Sequence, residues 1–175
     1  MSPIEDILDS KIKPKEKQTR LVSGVVSGKI PVGEFIAFFE AAKDVHKGAC
    51  ADAMKHISAE KPGLLAPHID ALLKYVNHPL PRVKWGVPEA IGNMAKDFPE
   101  QAAQAIPSLL KNVTDNKANT TVIKWCAAFA LGEIAKHNPK TRTQLLPMFE
   151  KLIKSEKNNG VKNVYLKAIM AIDKE

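Results

Sequence analysis

Apolar residues recur along this chain at the three- and four-residue spacing that places them on one face of an α-helix. Proline, glycine and asparagine interrupt the pattern, as at Asn77-His78-Pro79, Asp115-Asn116-Lys117 and Asn158-Asn159-Gly160. Ser2-Pro3-Ile4-Glu5 carries a capping signature that predicts a short first helix. The other predicted helices cover about 14–27, 32–42, 45–60, 64–77, 82–97, 100–114, 119–137, 141–155 and 160–173. We therefore predict an all-α fold of about ten helices without a sheet.

Two stretches of the chain, 83–99 and 123–139, match when one is shifted by 40 positions. Seven of the seventeen aligned positions are identical, and several apolar positions change only within kind, as in Val83 for Ile123, Ile91 for Leu131 and Met94 for Ile134. Pro67, Pro107 and Pro147 repeat the spacing of 40. A fixed period of this size indicates stacked structural repeats. We predict one domain over 1–175, with capping helices in 1–30 and two-helix units at about 31–62, 63–99, 100–139 and 140–175.

A helical wheel divides each second helix of these units into a buried and an open side. The residues predicted to be buried are Val83, Val87, Ala90, Ile91 and Met94 in one copy, and Ile123, Ala127, Ala130, Leu131 and Ile134 in the other. Trp85 and Trp125 fall at the same register on the opposite side. Pro88 either bends its helix beside Trp85 or sits in the first turn of a helix that starts late, and we expect the second.

The run Ile123-Lys124-Trp125-Cys126-Ala127-Ala128-Phe129-Ala130-Leu131-Gly132-Glu133-Ile134-Ala135, together with proline in the first helix of a 40-residue pair, resembles the HEAT repeat family. The resemblance implies a right-handed superhelix of helix pairs, whose second helices line a concave face that binds another protein. It also implies a ladder between units, in which Lys84, Lys124 and Lys162 each bond an acidic residue in the turn before them, with Asp115 as one acidic partner.

The open side of the second helices is the predicted binding surface, because tryptophan is a typical anchor of interfaces. Its candidate partner-binding residues are Trp85, Glu89, Lys96, Trp125, Phe129, Lys136 and Lys167. In the alternative interpretation, each tryptophan lies in the groove between adjacent helices and only fills space, since tryptophan is highly buried on average.

The net charge of +7 raises the expectation of an acidic partner. A solvated lysine-rich surface is the structural alternative. The leading hypothesis is a non-catalytic scaffold that binds an acidic protein or peptide without a cofactor. The alternative is nucleic-acid binding driven by phosphate contacts from Lys and Arg. One variant of this alternative is related to the alkylpurine DNA glycosylases that are built from HEAT-like repeats. In that case Trp85, Trp125, Glu89 and Asp52 are the candidate residues.

Motifs for metal or covalent chemistry are missing from the sequence. The five histidines lack zinc-site spacing, and Cys50 and Cys126 lie 76 positions apart within helical patterns. Neither a secretory signal nor a membrane span is predicted, so we expect an intracellular, cytoplasmic protein and leave a nuclear location open. The last helix lacks an obvious polar cap, which predicts self-association through the C-terminal repeat.

Overall fold

Helices and turns make up the whole described part of the protein. The computed structural model describes residues 1–115, 117 and 119–175, and no strand occurs among them, which confirms the all-α prediction. Asn116, in one of the predicted breaks, lies outside the described residues. The helices are α1 (Pro3–Asp9), α2 (Pro14–Val26), α3 (Val32–Ala41), α4 (Asp44–Glu60), α5 (Pro62–Leu65), α6 (Ile69–Leu73), α7 (Pro81–Met94), α8 (Pro99–Ala103), α9 (Ile106–Thr114), α10 (Thr121–His137), α11 (Arg142–Ser155) and α12 (Asn159–Asp173), with 3-10 turns at Ala66–His68 and Pro139–Thr141.

The N-terminal capping signature forms as predicted. The backbone N–H of Glu5 donates to the Ser2 hydroxyl at 3.2 Å, and the backbone N–H of Ser2 donates to the Glu5 carboxylate at 3.2 Å. Pro3 occupies the first helical position, where its missing donor is not needed. The two bonds satisfy backbone donors that the first turn of a helix otherwise leaves open.

Two of the predicted first helices are divided at their prolines. The segment predicted as 64–77 consists of α5, a 3-10 turn that contains Pro67, and α6. The segment predicted as 100–114 breaks between α8 and α9, just before Pro107. Proline removes a backbone donor, and its ring clashes with the carbonyl four residues earlier, so an interruption here is expected. Pro147 differs, because α11 continues through it.

Pro88 lies well inside its helix, so the interpretation of a late helix start is wrong. Helix α7 begins at Pro81, whose fixed φ suits the first helical position, and Pro88 follows seven residues later as a buried residue. Pro88 has no N–H to offer the carbonyl of Lys84. Helix α7 packs against both α4 and α10. These tertiary contacts offset the backbone hydrogen bond lost at Pro88, and a local sequence pattern does not reveal them.

The second helices form a row that follows the order of the chain. Helix α2 packs on α4, α4 on α7, α7 on α10, and α10 on α12. The intervening segments pack against this row, with α3 on α4, α5 on α4 and α7, α9 on α10, and α11 on α12. All ten residues that the helical wheels assign to the core of α7 and α10 are buried, which confirms the core side of those wheels. Other residues of the two helices, such as Gly92 and Gly132 on the opposite side of the wheels, are buried as well.

Small residues let neighbouring helices of the row approach closely. A Cβ atom on Gly86 of α7 would overlap the backbone carbonyl of Ala51 on α4. A Cβ on Gly132 of α10 would lie 3.2 Å from the Cβ of Ala168 on α12. Glycine and alanine bring helix backbones together because nothing larger stands between them, and interiors packed this densely leave no room for an added carbon.

Substitution of Gly86 by Ala tests this contact. We expect Gly86→Ala to lower the free energy of unfolding by about 1–3 kcal/mol, because the new methyl group meets backbone rather than a movable side chain. Urea denaturation followed by circular dichroism measures the change. Gly33→Ala is the matched control, since Gly33 is also helical but has nothing within 4 Å of its Cβ position. Equal stability of the two variants would contradict the close contact.

Candidate functional site

A groove between α10 and α12 brings together most of the residues predicted to bind a partner. It encloses a cavity of about 310 Å³ on the open side of these helices. Trp125, Phe129 and Lys136 line it from α10, and Lys167 lines it from α12. The remaining lining residues are Gly132, Glu133, Gly160, Asn163, Val164 and Ala168. Trp85, Glu89 and Lys96 lie outside this groove.

An aromatic pair forms one wall of the groove. The rings of Trp125 and Phe129 stack with their centroids 5.7 Å apart and their planes 2° from parallel. Phe129 is half-buried, and its Cε1 atom would lie 2.7 Å from a Cβ on Gly92 of α7. Phe129 therefore fills the space that this glycine leaves open, while the Trp125 side chain retains 38% exposure. The indole of Trp125 is thus supported on one face by Phe129 and remains partly exposed to solvent.

Charged side chains line the rim of this groove. Glu133 pairs with Lys136 on the same helix, and its other oxygen lies 3.3 Å from Nε2 of His137. Lys167, on the opposite wall, is exposed and has no ion-pair partner among the described residues. Lys167 is thus the rim cation that does not have to give up an internal contact to meet an anionic group.

Trp85 differs from its counterpart in the next repeat. Its side chain is half-buried, and its indole nitrogen is buried without a hydrogen-bond partner in the described part of the chain. The ring that stacks with Trp125 is Phe129 rather than Trp85. The two tryptophans share a register but not an environment, and only Trp125 combines exposure with a cavity.

Acidic residues further along the row are tied to cations of the neighbouring helix. Asp52 on α4 accepts from Nη2 of Arg82 at 2.5 Å and from its Nε at 3.2 Å. Glu89 on α7 lies 4.0 Å from Nζ of Lys55 on α4. Arg82 also lies against Gly48, with its Cδ 3.1 Å from the Cβ position. These pairs close the open side between α4 and α7.

Two of the three predicted ladder lysines, Lys84 and Lys124, contact the turn of the following unit, whereas the resemblance implies contacts with the turn before each lysine. Lys84 Nζ donates to Oδ1 of Asn119 at 2.7 Å, and Lys124 Nζ lies 3.9 Å from the carboxylate of Glu156. The carboxylate of Asp115 accepts the backbone N–H of Lys117 at 3.1 Å, and its role as a ladder partner stays a prediction. Lys162, at the corresponding place in α12, is half-buried.

Lys47 on α4 occupies the same place in the first unit, which the sequence analysis did not include in the ladder. It is buried, its Nζ donates to the Glu40 carbonyl at 2.8 Å, and it lies 5.6 Å and 5.0 Å from the ring centroids of Phe39 and Tyr75. An ammonium group over aromatic rings is favourable, most of all when it is desolvated. The shift of 37 that relates Lys47 to Lys84 could have found this residue.

A second cavity, between α2 and α4, was also missed from the sequence. It has a volume of about 320 Å³ and includes Val45, whose side chain is 75% exposed. Its other lining residues are Leu8, Pro14, Lys15, Lys17, Gln18, Leu21, His46, Ala49, Asp52 and Arg82. The sequence analysis assigned 1–30 only to capping helices and therefore did not predict this cavity. The apolar residue Val45 was a signal that could have indicated it.

Both cysteines are buried and chemically quiet. Burial raises the pKa of Cys126 to about 12, with a smaller contribution from the carboxylate of Glu89 that Lys55 partly offsets. Burial also raises the pKa of Cys50 to about 12, against a smaller opposing effect of Lys47. A thiol acts as a nucleophile or metal ligand as the thiolate, which these environments disfavour. No cluster of three or more metal-ligating side chains occurs in residues 1–115, 117 and 119–175.

Comparison with known proteins adds no family assignment. The sequence matches no protein-family model, and no curated protein matches it significantly. Within the described ranges, none of the helices has the length and apolar character required to cross a bilayer. The candidate site therefore rests on its own geometry.

Fluorescence quenching can test the different environments of the two tryptophans. We expect acrylamide to quench Trp85→Phe, in which only Trp125 emits, more strongly than Trp125→Phe, in which only Trp85 emits. The physical reason is the exposed Trp125 ring, compared with the half-buried Trp85 side chain and its buried nitrogen. Both variants in denaturant should quench alike. Stronger native quenching of Trp85 would contradict the assignment.

Thiol reactivity tests the burial of the cysteines. With a pKa of about 12 for each thiol, the thiolate fraction at pH 8 is only about 10⁻⁴. We expect a disulfide reagent to label the native protein slowly and the denatured protein rapidly, as absorbance of the released thiol reports. Single Cys50→Ala and Cys126→Ala variants separate the two sites, and fast labelling of either folded variant would contradict the predicted protection.

Proposed function

We propose that this protein is a non-catalytic, HEAT-like scaffold whose second helices line a concave superhelical face, and that this face binds an acidic protein or peptide. The single observation that carries the proposal is the open Trp125 ring, stacked on Phe129 in the groove between α10 and α12. The sequence resemblance and the ordered row of helices support the same architecture.

The groove has the features of a small interface centre. An aromatic anchor next to a concave surface is the usual place where truncation to alanine lowers binding most, by about 2–4 kcal/mol for a strong anchor. Phe129 holds the indole in place, so little side-chain entropy is lost when a ligand contacts it. We infer that an apolar side chain of the partner enters the cavity against Trp125.

Electrostatics supports an acidic ligand. The chain carries a net charge of +7, and Lys167 stands at the groove without an ion-pair partner among the described residues. Opposite charges across an interface raise the association rate, and added salt screens the effect. We expect the affinity to fall with ionic strength and the association rate to change more than the dissociation rate.

Nucleic-acid binding is the second candidate function, favoured by the exposed lysines Lys11, Lys13 and Lys15 near the N-terminus. The glycosylase form of this alternative lacks free acids at the site, since Asp52 and Glu89 both lie beside cations. A mobility-shift assay with DNA and RNA at about 50 mM salt addresses the candidate, because phosphate contacts are strongest at low salt. Absence of a shift there would remove it.

Selection from a displayed library of random sixteen-residue peptides tests the proposed function. We expect the selected peptides to contain acidic residues next to an apolar one, and Trp125→Ala to weaken their binding at least about 30-fold because the anchor is lost. Fluorescence anisotropy with synthetic versions measures the affinity. Leu166→Ala is the matched control, since Leu166 is 41% exposed on α12 but does not line the groove.

Charge reversal separates the electrostatic part of the proposal. Lys167→Glu is expected to weaken binding of the acidic peptides. Lys151→Glu, the same charge reversal at an exposed lysine of α11, should have little effect on that binding. If library selection yields no binders, or if the selected peptides bind Trp125→Ala as well as the unaltered protein, the proposed function is wrong.

A further inference from the structure

On the side of the helix row that carries Trp85 and Trp125, side chains cover the grooves in the middle of the row. The grooves towards both ends of the row contain cavities. Between α4 and α7, the pairs Asp52–Arg82 and Lys55–Glu89 bridge the two helices. Between α7 and α10, Phe129 occupies the space beside Gly92. The flanking grooves, between α2 and α4 and between α10 and α12, instead hold cavities of about 320 Å³ and 310 Å³.

The two cavities lie on the same side of the row. Asp52 on α4, Glu89 on α7 and Phe129 on α10 are equivalent positions, related by shifts of 37 and 40 residues. Asp52 lines the first cavity and Phe129 lines the second. Because equivalent positions of packed repeats face the same way, a single ligand on this side can reach both cavities.

Both cavities combine apolar walls with an excess of cations. The first has Leu8, Leu21 and Val45 beside Lys15 and Lys17, and its Arg82 is neutralised by Asp52. The second has its aromatic pair beside Lys136 and Lys167, with Glu133 as the acid of the lining. The charge of each cavity complements an acidic ligand that carries an apolar side chain.

We propose that one acidic, extended segment of a partner protein occupies both cavities at once, with an apolar side chain in each. This inference rests on the proposed function and adds the N-terminal cavity as a second, unassigned half of the binding site. The segment crosses α4, α7 and α10, passing over the ion pairs and Trp85 in the middle of the row.

The helix spacing sets the separation of the two apolar side chains. Three interhelical distances lie between the cavities, which is about 24–30 Å at the usual spacing of packed helices. An extended chain covers about 3.3–3.6 Å per residue. The two apolar side chains are therefore about seven to nine positions apart in the ligand sequence.

Simultaneous occupation predicts a gain in affinity without new contacts. Once one apolar side chain is bound, the other searches only the volume that the connecting segment allows, and linked sites of this kind gain about 10²–10⁴-fold over a single site. A linker too short to span the distance loses the gain. This length dependence distinguishes one bridging segment from two separate ligands.

Peptides from the random sixteen-residue library provide the probe. We expect the selected peptides to share two apolar positions about seven to nine apart, and we expect removal of either position, or deletion of four residues between them, to weaken binding about tenfold or more. Val45→Asp should weaken binding to a similar extent, because it places an anion at an exposed position in the first cavity. Isothermal titration calorimetry measures both affinity and stoichiometry, which is expected to be one peptide per protein.

Val122→Asp is the matched control for Val45→Asp. Val122 is also the second residue of its helix and is 50% exposed, but it lines neither cavity. Circular dichroism melting of both variants checks that their folds are equally stable. The control is expected to bind the peptides like the unaltered protein.

The outcomes separate this inference from the proposed function. If Trp125→Ala weakens peptide binding while Val45→Asp does not, or if two peptides bind per protein, the bridging inference is overturned and the proposed function stands. If only Val45→Asp weakens peptide binding, the inference and the proposed function are both overturned, because the binding site is then the N-terminal cavity. Weakening by both variants, with the expected length dependence, supports the inference.

Discussion

Close contact between successive second helices is the constraint on which the rest of this structure depends. Gly86 lies so near the Ala51 carbonyl that no side chain fits there, and Gly132 lies close to Ala168, whose Cβ would be 3.2 Å from an added Cβ. Helices that approach this closely exclude water from the interface and leave their longer side chains to point to either side of the row. The core stripe forms on one side, and the candidate binding surface forms on the other.

The same constraint explains why the grooves differ along the row. Where a long side chain faces a glycine of the neighbouring helix, it covers the groove between the two helices. Arg82 does so over Gly48, and Phe129 does so beside Gly92. Where the facing residues leave space, a cavity remains, as between α10 and α12. The candidate binding surface is therefore a consequence of which residues oppose each other across neighbouring helices, and its chemistry changes from one helix pair to the next.

The sequence predicted the helices and the core more completely than the site. Periodicity identified ten of the buried residues of α7 and α10, because burial of one face depends on local spacing. It did not identify others, such as Gly86, which is buried by its close contact with α4. It did not predict that Pro88 would lie inside a continuous helix, since that depends on contacts with α4 and α10. The wheel placed Trp85 and Trp125 alike, and their different exposure follows from neighbours in other helices, which a single-helix pattern does not contain.

Phe129 has two tasks in this architecture, as the support of the Trp125 ring and as the filler beside Gly92. The candidate groove and the contact between α7 and α10 therefore share one aromatic side chain. A change at Phe129 alters the wall of the groove and the packing of the preceding repeat together.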